Sequence, residues 1–453
     1  MTIEIHSAKK AAIFDDLVAR LPEMQVTNNK YLDLKSAINL FLIDQRLPKK
    51  TRESAADLID EHPLFEFITE YISSDLCDLN EWSDVPSKPL IDISHFSDVE
   101  KYSSLLIDSF QSLPWSYTLS LEMPDVFLTA LTDGENALVL SNRMRLIKVS
   151  DTFDNEFPLK SPFPARERNM SPLSLLFMPS EPKWTVGSII LQQQCSGFIG
   201  EFSRTATLRK GDLALRSFLG ILIGLRAITI KPGYSLNVPH RDLIIHQNFA
   251  SGWRVKRRLE LDYEFSRAIP GILVDDLDGR VPEDSRGPWL RYNLIRLMPA
   301  LDESEEAQRI RLAARWLFDS VSNSQRLLSF VQAMVCLEIL LGETDVRDPL
   351  GLGATIRNRC AYLIAGSYEE REKISAELRE IYEVRSKILH RGQDDLSSKE
   401  TSMLLRLRHI CGRVIGKELE LLKDQFDRNV QAEQVNKAAA VEETSSGMAV
   451  PPV

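Results

Sequence analysis

The stretch from Glu372 to Gly392, EKISAELREIYEVRSKILHRG, decides how the C-terminal third of the chain is read. At about 100° per residue, Ile374, Leu378, Ile381, Val384 and Ile388 fall into one apolar stripe, with Arg385 near its middle. A guanidinium taken out of water without a partner is costly, so this position must be paired, line a wet cleft or lie between two chains. His390 follows five residues on, roughly 140° further round a regular helix. The two meet within one chain only if the helix distorts or ends near Leu389, for which Gly392 would serve as a cap. Otherwise two copies of the chain must bring two such segments together.

Around this stretch, helical spacing is nearly continuous from Asp302 onward, through SEEAQRIRLAARWLFDSV, SQRLLSFVQAMVCLEILLG, LGATIRNRCAYLIAG and SSKETSMLLRLRHICGRVIGKELELLKDQF. Gly342 and Gly366 suit helix ends, and Ser398, with Thr401 in the first turn, suits the start of the last helix. Short connections between helices imply an antiparallel bundle. Past about Arg428 large apolar residues run out, so residues 429–453 are expected to be a disordered tail.

Upstream, residues 1–110 read as an acidic, mainly helical region, with helical spacing in HSAKKAAIFDDLVARL and TRESAADLIDEHPLFEFITEYI. Near Leu113 the period changes to two: in WSYTLSLEM, Trp115, Tyr117, Leu119, Leu121 and Met123 share one face, as in a half-buried strand. VFLTALTDGENALVLS suggests a hairpin turning at Asp133-Gly134, and TVGSIILQQ a further strand. Alternation from Trp253 to Phe265 suggests another, whose outer face runs Arg254, Lys256, Arg258 and then Glu260, Asp262, Glu264. Its basic end either binds an anion or meets cross-strand partners. The apolar run SFLGILIGLRAI, from Ser217 to Ile228, is too short to span a bilayer. With Gly220 and Gly224 it reads as a buried, closely packed helix. The fold class expected is therefore α+β: a helical N-terminal region (1–110), a β-rich middle region (111–300) and a C-terminal all-α bundle (301–428).

Composition narrows function only a little. The chain has 453 residues and a net charge of −10, but Thr51 to Glu100 alone holds thirteen Asp/Glu against two Lys/Arg, a balance of −11. The remainder is thus near +1, which disfavours broad nonspecific nucleic-acid binding and leaves room for a local basic site. Five scattered cysteines without CxxC spacing argue against a disulfide framework or zinc site and point to the cytoplasm. The N-terminus lacks a signal-peptide core, so no membrane association is expected. HRDLIIHQN, from His240 to Asn248, looks like a protein-kinase catalytic loop, but Gln247 stands where that motif needs Asn, and no glycine-rich loop or DFG accompanies it. His240 and His246 then read as structural.

Arg385, polar Ser386 and His390, in RSKILHRG, resemble the HEPN family, whose mark is an arginine followed four to six residues later by a histidine near the end of a bundle helix. The apolar helix holding Leu337-Glu338, followed by the helix holding Arg359 and Ala361, is similar to the Apea-like HEPN branch, with Arg359 matching imperfectly. The resemblance covers about Arg315 to Leu422. It implies a metal-independent endoribonuclease of toxin or antiviral-defence type, without cofactors, acting at a composite site in a homodimer formed through the bundle.

The residue chemistry is compatible with that activity. RNA carries its own nucleophile, the 2′-OH, so cleavage needs a proton acceptor and donor, which a histidine supplies near neutral pH, and a fork of donors for phosphate oxygens, which an arginine supplies. His390 is then the acid/base, Arg385 the phosphate clamp and Ser386 an orienting group. Arg406, His409, Arg413 and Lys417 recur at helical spacing as a basic face for an RNA backbone, or simply a solvated one. Glu338 or Glu383 is placed to pair with Arg385, more as a structural ion pair than as catalysis. Residues 1–300 would sense a phage-derived or protein trigger and restrain the nuclease. The alternative is a HEPN-like protein that dimerises or binds a partner without cutting.

Overall fold

A computed structural model of the chain describes residues 3–79, 85–159, 184–231, 241–342, 351–391 and 395–446, without the side chains of 389–391 and 425–446. Helix makes up 60% and strand 15%, with helices at both ends and a six-stranded sheet in the middle, so the fold is mixed α+β with a C-terminal helical region. Among the described residues no helix is long and apolar enough to cross a membrane. The chain forms two compact units that interleave along the sequence: residues 1–123, 145–212 and 240–261 in the first, and 124–144, 213–239 and 262–453 in the second.

In the first unit, α1 (Ser7–Arg20), α2 (Lys49–Ala56), α3 (Pro63–Leu79) and α4 (Val99–Gln111) enclose one apolar core. The segment TRESAADLIDEHPLFEFITEYI is divided between α2 and α3. Asp44, itself buried, starts α3 by accepting hydrogen bonds from the backbone N–H groups of Leu64 (2.9 Å) and Phe65 (3.3 Å), the orphan donors every helix start leaves. Burial raises the Asp44 pKa, against those same bonds. Glu70 is no solvated acid either: it is buried and holds the N–H groups of Phe202 and Ser203 at 2.9 and 2.7 Å.

The sheet comprises β1 (Trp115–Met123), β2 (Ala137–Val139), β3 (Met144–Lys148), β4 (Ile189–Gly197), β5 (Asp242–Phe249) and β6 (Gly252–Glu260), in the order β6-β5-β1-β4-β3-β2. β1 lies antiparallel to both β4 and β5. It is buried on both faces, because Thr118 and Ser120 are as enclosed as Tyr117 and Leu119. The half-buried strand expected from alternation is thus a central one. The hairpin also turns later than Asp133-Gly134: residues 125–130 form a 3-10 helix, and the chain reverses between β2 and β3, where the Ser141 hydroxyl accepts from the N–H groups of Arg143 and Met144. The strand expected to reach Phe265 stops at Glu260. Asp262 then caps a short helix, Tyr263–Ala268, by accepting from the Phe265 N–H at 3.0 Å.

Helix α5 (Ala206–Gly224) enters the second unit at residue 213. There follow α6 (Arg286–Arg296), α7 (Glu305–Ser322), α8 (Arg326–Leu341), α9 (Leu352–Ile364), α10 (Tyr368–Arg391) and α11 (Ser398–Ser446). Gly342 ends α8 as expected, its N–H donating to the Glu338 carbonyl at 2.8 Å. The start of α11 is capped one residue earlier than expected, by a reciprocal box in which the Glu400 N–H donates to the Ser397 hydroxyl and the Ser397 N–H to the Glu400 carboxylate. The helix continues to Ser446, through residues expected to be a disordered tail. They lack an apolar stripe but are rich in Ala, Glu and Gln, which favour helix intrinsically. α10 buries Ile374, Leu378, Ile381 and Val384, four of the five residues of the expected stripe.

Gly220 and Gly224 confirm the close packing read from their spacing. A Cβ at Gly220 would sit 1.8 Å from the Ala314 carbonyl oxygen on α7, and the Gly412 position on α11 lies 2.8 Å, by the same measure, from the Gly224 carbonyl oxygen. A fragment beginning at residue 301 would lack α5 and expose the groove it fills. Gly220→Ala should therefore destabilise the second unit by roughly 1–3 kcal/mol. Gly416→Ala, where the nearest atoms lie 3.8 and 4.0 Å away, should stabilise it by roughly 0.5–1 kcal/mol through helix propensity alone. Urea denaturation of the two variants checks both signs.

Candidate functional site

The helix that carries Arg385 is unbroken from Tyr368 to Arg391, so it includes His390 and ends one residue before Gly392. Two positions five apart in such a helix stay about 140° apart around the axis. The side chain of His390 lies outside the described residues, as does Gly392.

Arg385 is paired. Its Nη2 lies 2.9 Å from Oε1 of Glu338 on α8, with 30% and 21% of the two side chains exposed. The contact is one of charge rather than an aligned hydrogen bond, since that carboxylate oxygen is shielded from water and has no hydrogen-bond partner among the described residues. Glu383 and Ser386 are exposed. One turn before Arg385, Tyr382 stands with its hydroxyl shielded and also without a hydrogen-bond partner among the described residues. Burial, and then the charge of Glu338, push its pKa up, so it remains a neutral phenol and cannot act as a base near pH 7. The cluster thus holds one cation, one carboxylate and one phenol at the α8–α10 contact. Arg359 of the Apea-like pattern has a structural role: its Nη1 donates to the Leu341 carbonyl at 3.1 Å, satisfying an orphan acceptor at the end of α8.

The basic face of α11 is already engaged by carboxylates. Arg406 meets Glu377 at 2.8 Å, Arg413 meets Glu370 at 2.7 Å as well as the Ile364 carbonyl, and Lys417 meets Glu420 at 2.7 Å. His409 keeps much of its surface in water. Its pKa is nevertheless lowered, first by the buried part of the ring and then by Arg406, Arg413 and Arg226. His409, Arg413 and Lys417 line a cavity of about 240 Å³ together with Arg226, Arg296 and Arg408; Arg406 does not.

The last three arginines escaped the sequence reading because two come from distant segments and none fits a motif. Arg226 lies two residues beyond the end of α5, with φ +55°, while the Arg226 and Ala227 N–H groups donate to the carbonyls of Ile223 and Leu222. This is a helix-terminating turn that normally places glycine at the left-handed position. Arg226 holds it while its guanidinium pairs with Asp275 through two bonds, at 3.0 and 3.1 Å, and with Asp278 at 3.3 Å.

No protein-family model, curated protein or solved structure matches the chain. The kinase-like stretch lies in β5 from Asp242 onward, after Arg241, with His240 outside the described residues. His246 there is fully buried, with Nε2 3.0 Å from the Pro158 carbonyl and its ring edge-on to Phe157. The basic end of β6 finds structural partners: Lys256 meets Ser74 and Glu201, Arg258 the Leu159 carbonyl, and Arg254 Ser251 and the Phe249 ring.

Two predictions concern these groups. Burial lowers the His246 pKa to about 4 from an ordinary 6.5. Above pH 6.5 neither folded nor unfolded chain is charged there. As pH falls, the unfolded chain takes up the proton first, so stability declines between about pH 6.5 and 4, by up to about 3 kcal/mol. His246→Gln should flatten that part of a stability–pH curve. Arg385→Ala should cost about 1 kcal/mol by leaving the Glu338 carboxylate unpaired, a modest figure because both side chains are partly hydrated. Adding Glu338→Gln should recover part of it in urea denaturation.

Proposed function

We propose that the chain is an endoribonuclease of the HEPN kind, cutting RNA through its own 2′-OH without a metal ion. The observation that carries this reading is Arg385: a guanidinium inside the apolar stripe of α10, restrained by Glu338 yet 30% exposed, which leaves donors for a phosphate oxygen. His390 takes the 2′-OH proton or protonates the departing 5′ oxygen, Arg385 meets the charge on the phosphorane, and Ser386 orients one of them. Because α10 runs unbroken through both positions, about 140° apart, the cleft is composed from two copies of the chain, as a homodimer through the C-terminal helices. Arg406, His409, Arg413 and Lys417 hold the RNA backbone. The remainder of the chain holds the activity at a low but measurable basal rate until a phage-derived or protein trigger arrives, as suits an anti-phage toxin in the cytoplasm.

A second reading, a HEPN-like protein that assembles or binds a partner without cutting, is favoured by the Arg385–Glu338 pair itself, which gives the cation a structural partner.

Incubating purified full-length protein with RNA and excess chelator separates the two. Cleavage should leave 2′,3′-cyclic phosphate and 5′-hydroxyl ends, and His390→Ala or Arg385→Ala should reduce the rate by about 10²-fold or more. Growth arrest on expression should be relieved by His390→Ala. RNA cut equally by wild type and His390→Ala, or by neither, leaves the non-catalytic reading.

A further inference from the structure

The cavity along α11 has features that Arg385 and Glu338 do not share, since neither lines it. Its wall carries five permanent cations (Arg226, Arg296, Arg408, Arg413 and Lys417) against one carboxylate, Glu420, a balance of +4 among the described lining residues. Carboxylates behind the wall offset part of this: Asp275 and Asp278 hold Arg226, and Glu370 holds Arg413. Counting those three, the balance is five against four.

The residual charge is localised on Arg408. Its Nε donates to the Ser320 hydroxyl at 3.1 Å and its Nη2 to the Ser320 carbonyl, and no carboxylate meets it among the described residues. Burial without a counter-charge pushes this guanidinium down to about 10. An arginine kept at a cavity wall in that state gains if an anion enters. Gly224, Gly412 and Gly416 also line the cavity, so no side chain extends into it at those positions.

Size and donor geometry limit the anion. At about 240 Å³ the cavity lies below the roughly 300–1,000 Å³ of ordinary ligand pockets, which suits one phosphoryl group and its ester-linked sugar. Planar guanidinium forks match phosphate oxygens two at a time.

We infer that this cavity binds the phosphate of a phosphomonoester, carried by a free mononucleotide or by the 5′ end of an RNA strand. The inference shares Arg413 and Lys417 with the RNA-backbone contact proposed above but does not rest on the cleavage chemistry. Glu420, 2.7 Å from both Arg296 and Lys417, is the resident anion that the phosphate must displace.

Calorimetric titration of the full chain tests it, with inorganic phosphate, 5′-AMP, adenosine, and one short RNA bearing either a 5′-phosphate or a 5′-hydroxyl. The RNA arms use His390→Ala protein so that the strand stays intact. At least one phosphomonoester should bind, and adenosine and 5′-hydroxyl RNA should bind at least about tenfold more weakly than their phosphorylated forms. Binding of AMP identifies a free nucleotide as source; binding of 5′-phosphorylated RNA alone identifies a strand end. Lys417→Gln, at an exposed position outside the core, should weaken binding about tenfold, and Glu420→Gln should strengthen it. The inference is overturned if no phosphomonoester binds at millimolar concentration, if the phosphate makes no difference, or if both Lys417→Gln and Arg296→Gln leave the affinity unchanged. RNA cleavage with no such binding, or binding with no cleavage, tells the two proposals apart.

Discussion

Backbone-to-backbone approach at Gly220 and Gly224 is the constraint on which the second unit depends. Helices separated by side chains can adjust by rotamer changes, whereas a helix set against a carbonyl oxygen of its neighbour cannot shift without breaking van der Waals contact. At Gly220 that neighbour is Ala314 on α7, and at Gly224 the glycine's own carbonyl oxygen stands against Gly412 on α11, beside the Ile415 side chain. The end of α5 is thereby fixed beside α11. It is this placement that delivers Arg226 to the same cavity as Arg413 and Lys417, residues nearly two hundred positions away.

The two polar clusters of the unit differ in how they treat a guanidinium. At Arg385 a single carboxylate lies close, yet both partners keep contact with water, so the charge is restrained but available. At Arg408, half-buried, the partner is a neutral serine and no carboxylate meets it among the described residues. The first arrangement suits a group that meets developing charge briefly. The second suits one that holds a resting anion.

How much was legible follows from what each signal measures. The period of two in WSYTLSLEM located β1 to the residue, but apolar alternation reports only one face, and Thr118 and Ser120 gave no hint that the other is covered as well. Asp133-Gly134 looked like the stronger turn, yet the reversal was made by the Ser141 hydroxyl bonding its own backbone, a local competition that a dipeptide preference does not see. Alternation ran on past Glu260 because Asp262 and the short helix after it happened to keep the period, although Asp262 was itself a readable cap. On α10 the stripe and its odd cation were plain from spacing alone, but the pairing choice was not, Glu338 over Glu383 being a matter of tertiary reach. The cavity was only half legible. His409, Arg413 and Lys417 share a helix face, whereas Arg226 and Arg296 arrive by packing that no local pattern encodes.

Arg226 also carries a backbone cost at the turn it occupies. A non-glycine residue in the left-handed backbone it occupies costs on the order of 1 kcal/mol, a disadvantage of about fivefold in the folding equilibrium that glycine at the same turn would avoid. The bonds from its guanidinium to Asp275 and Asp278 act against that disadvantage, so the side chain that strains the turn also ties it to the segment after residue 274.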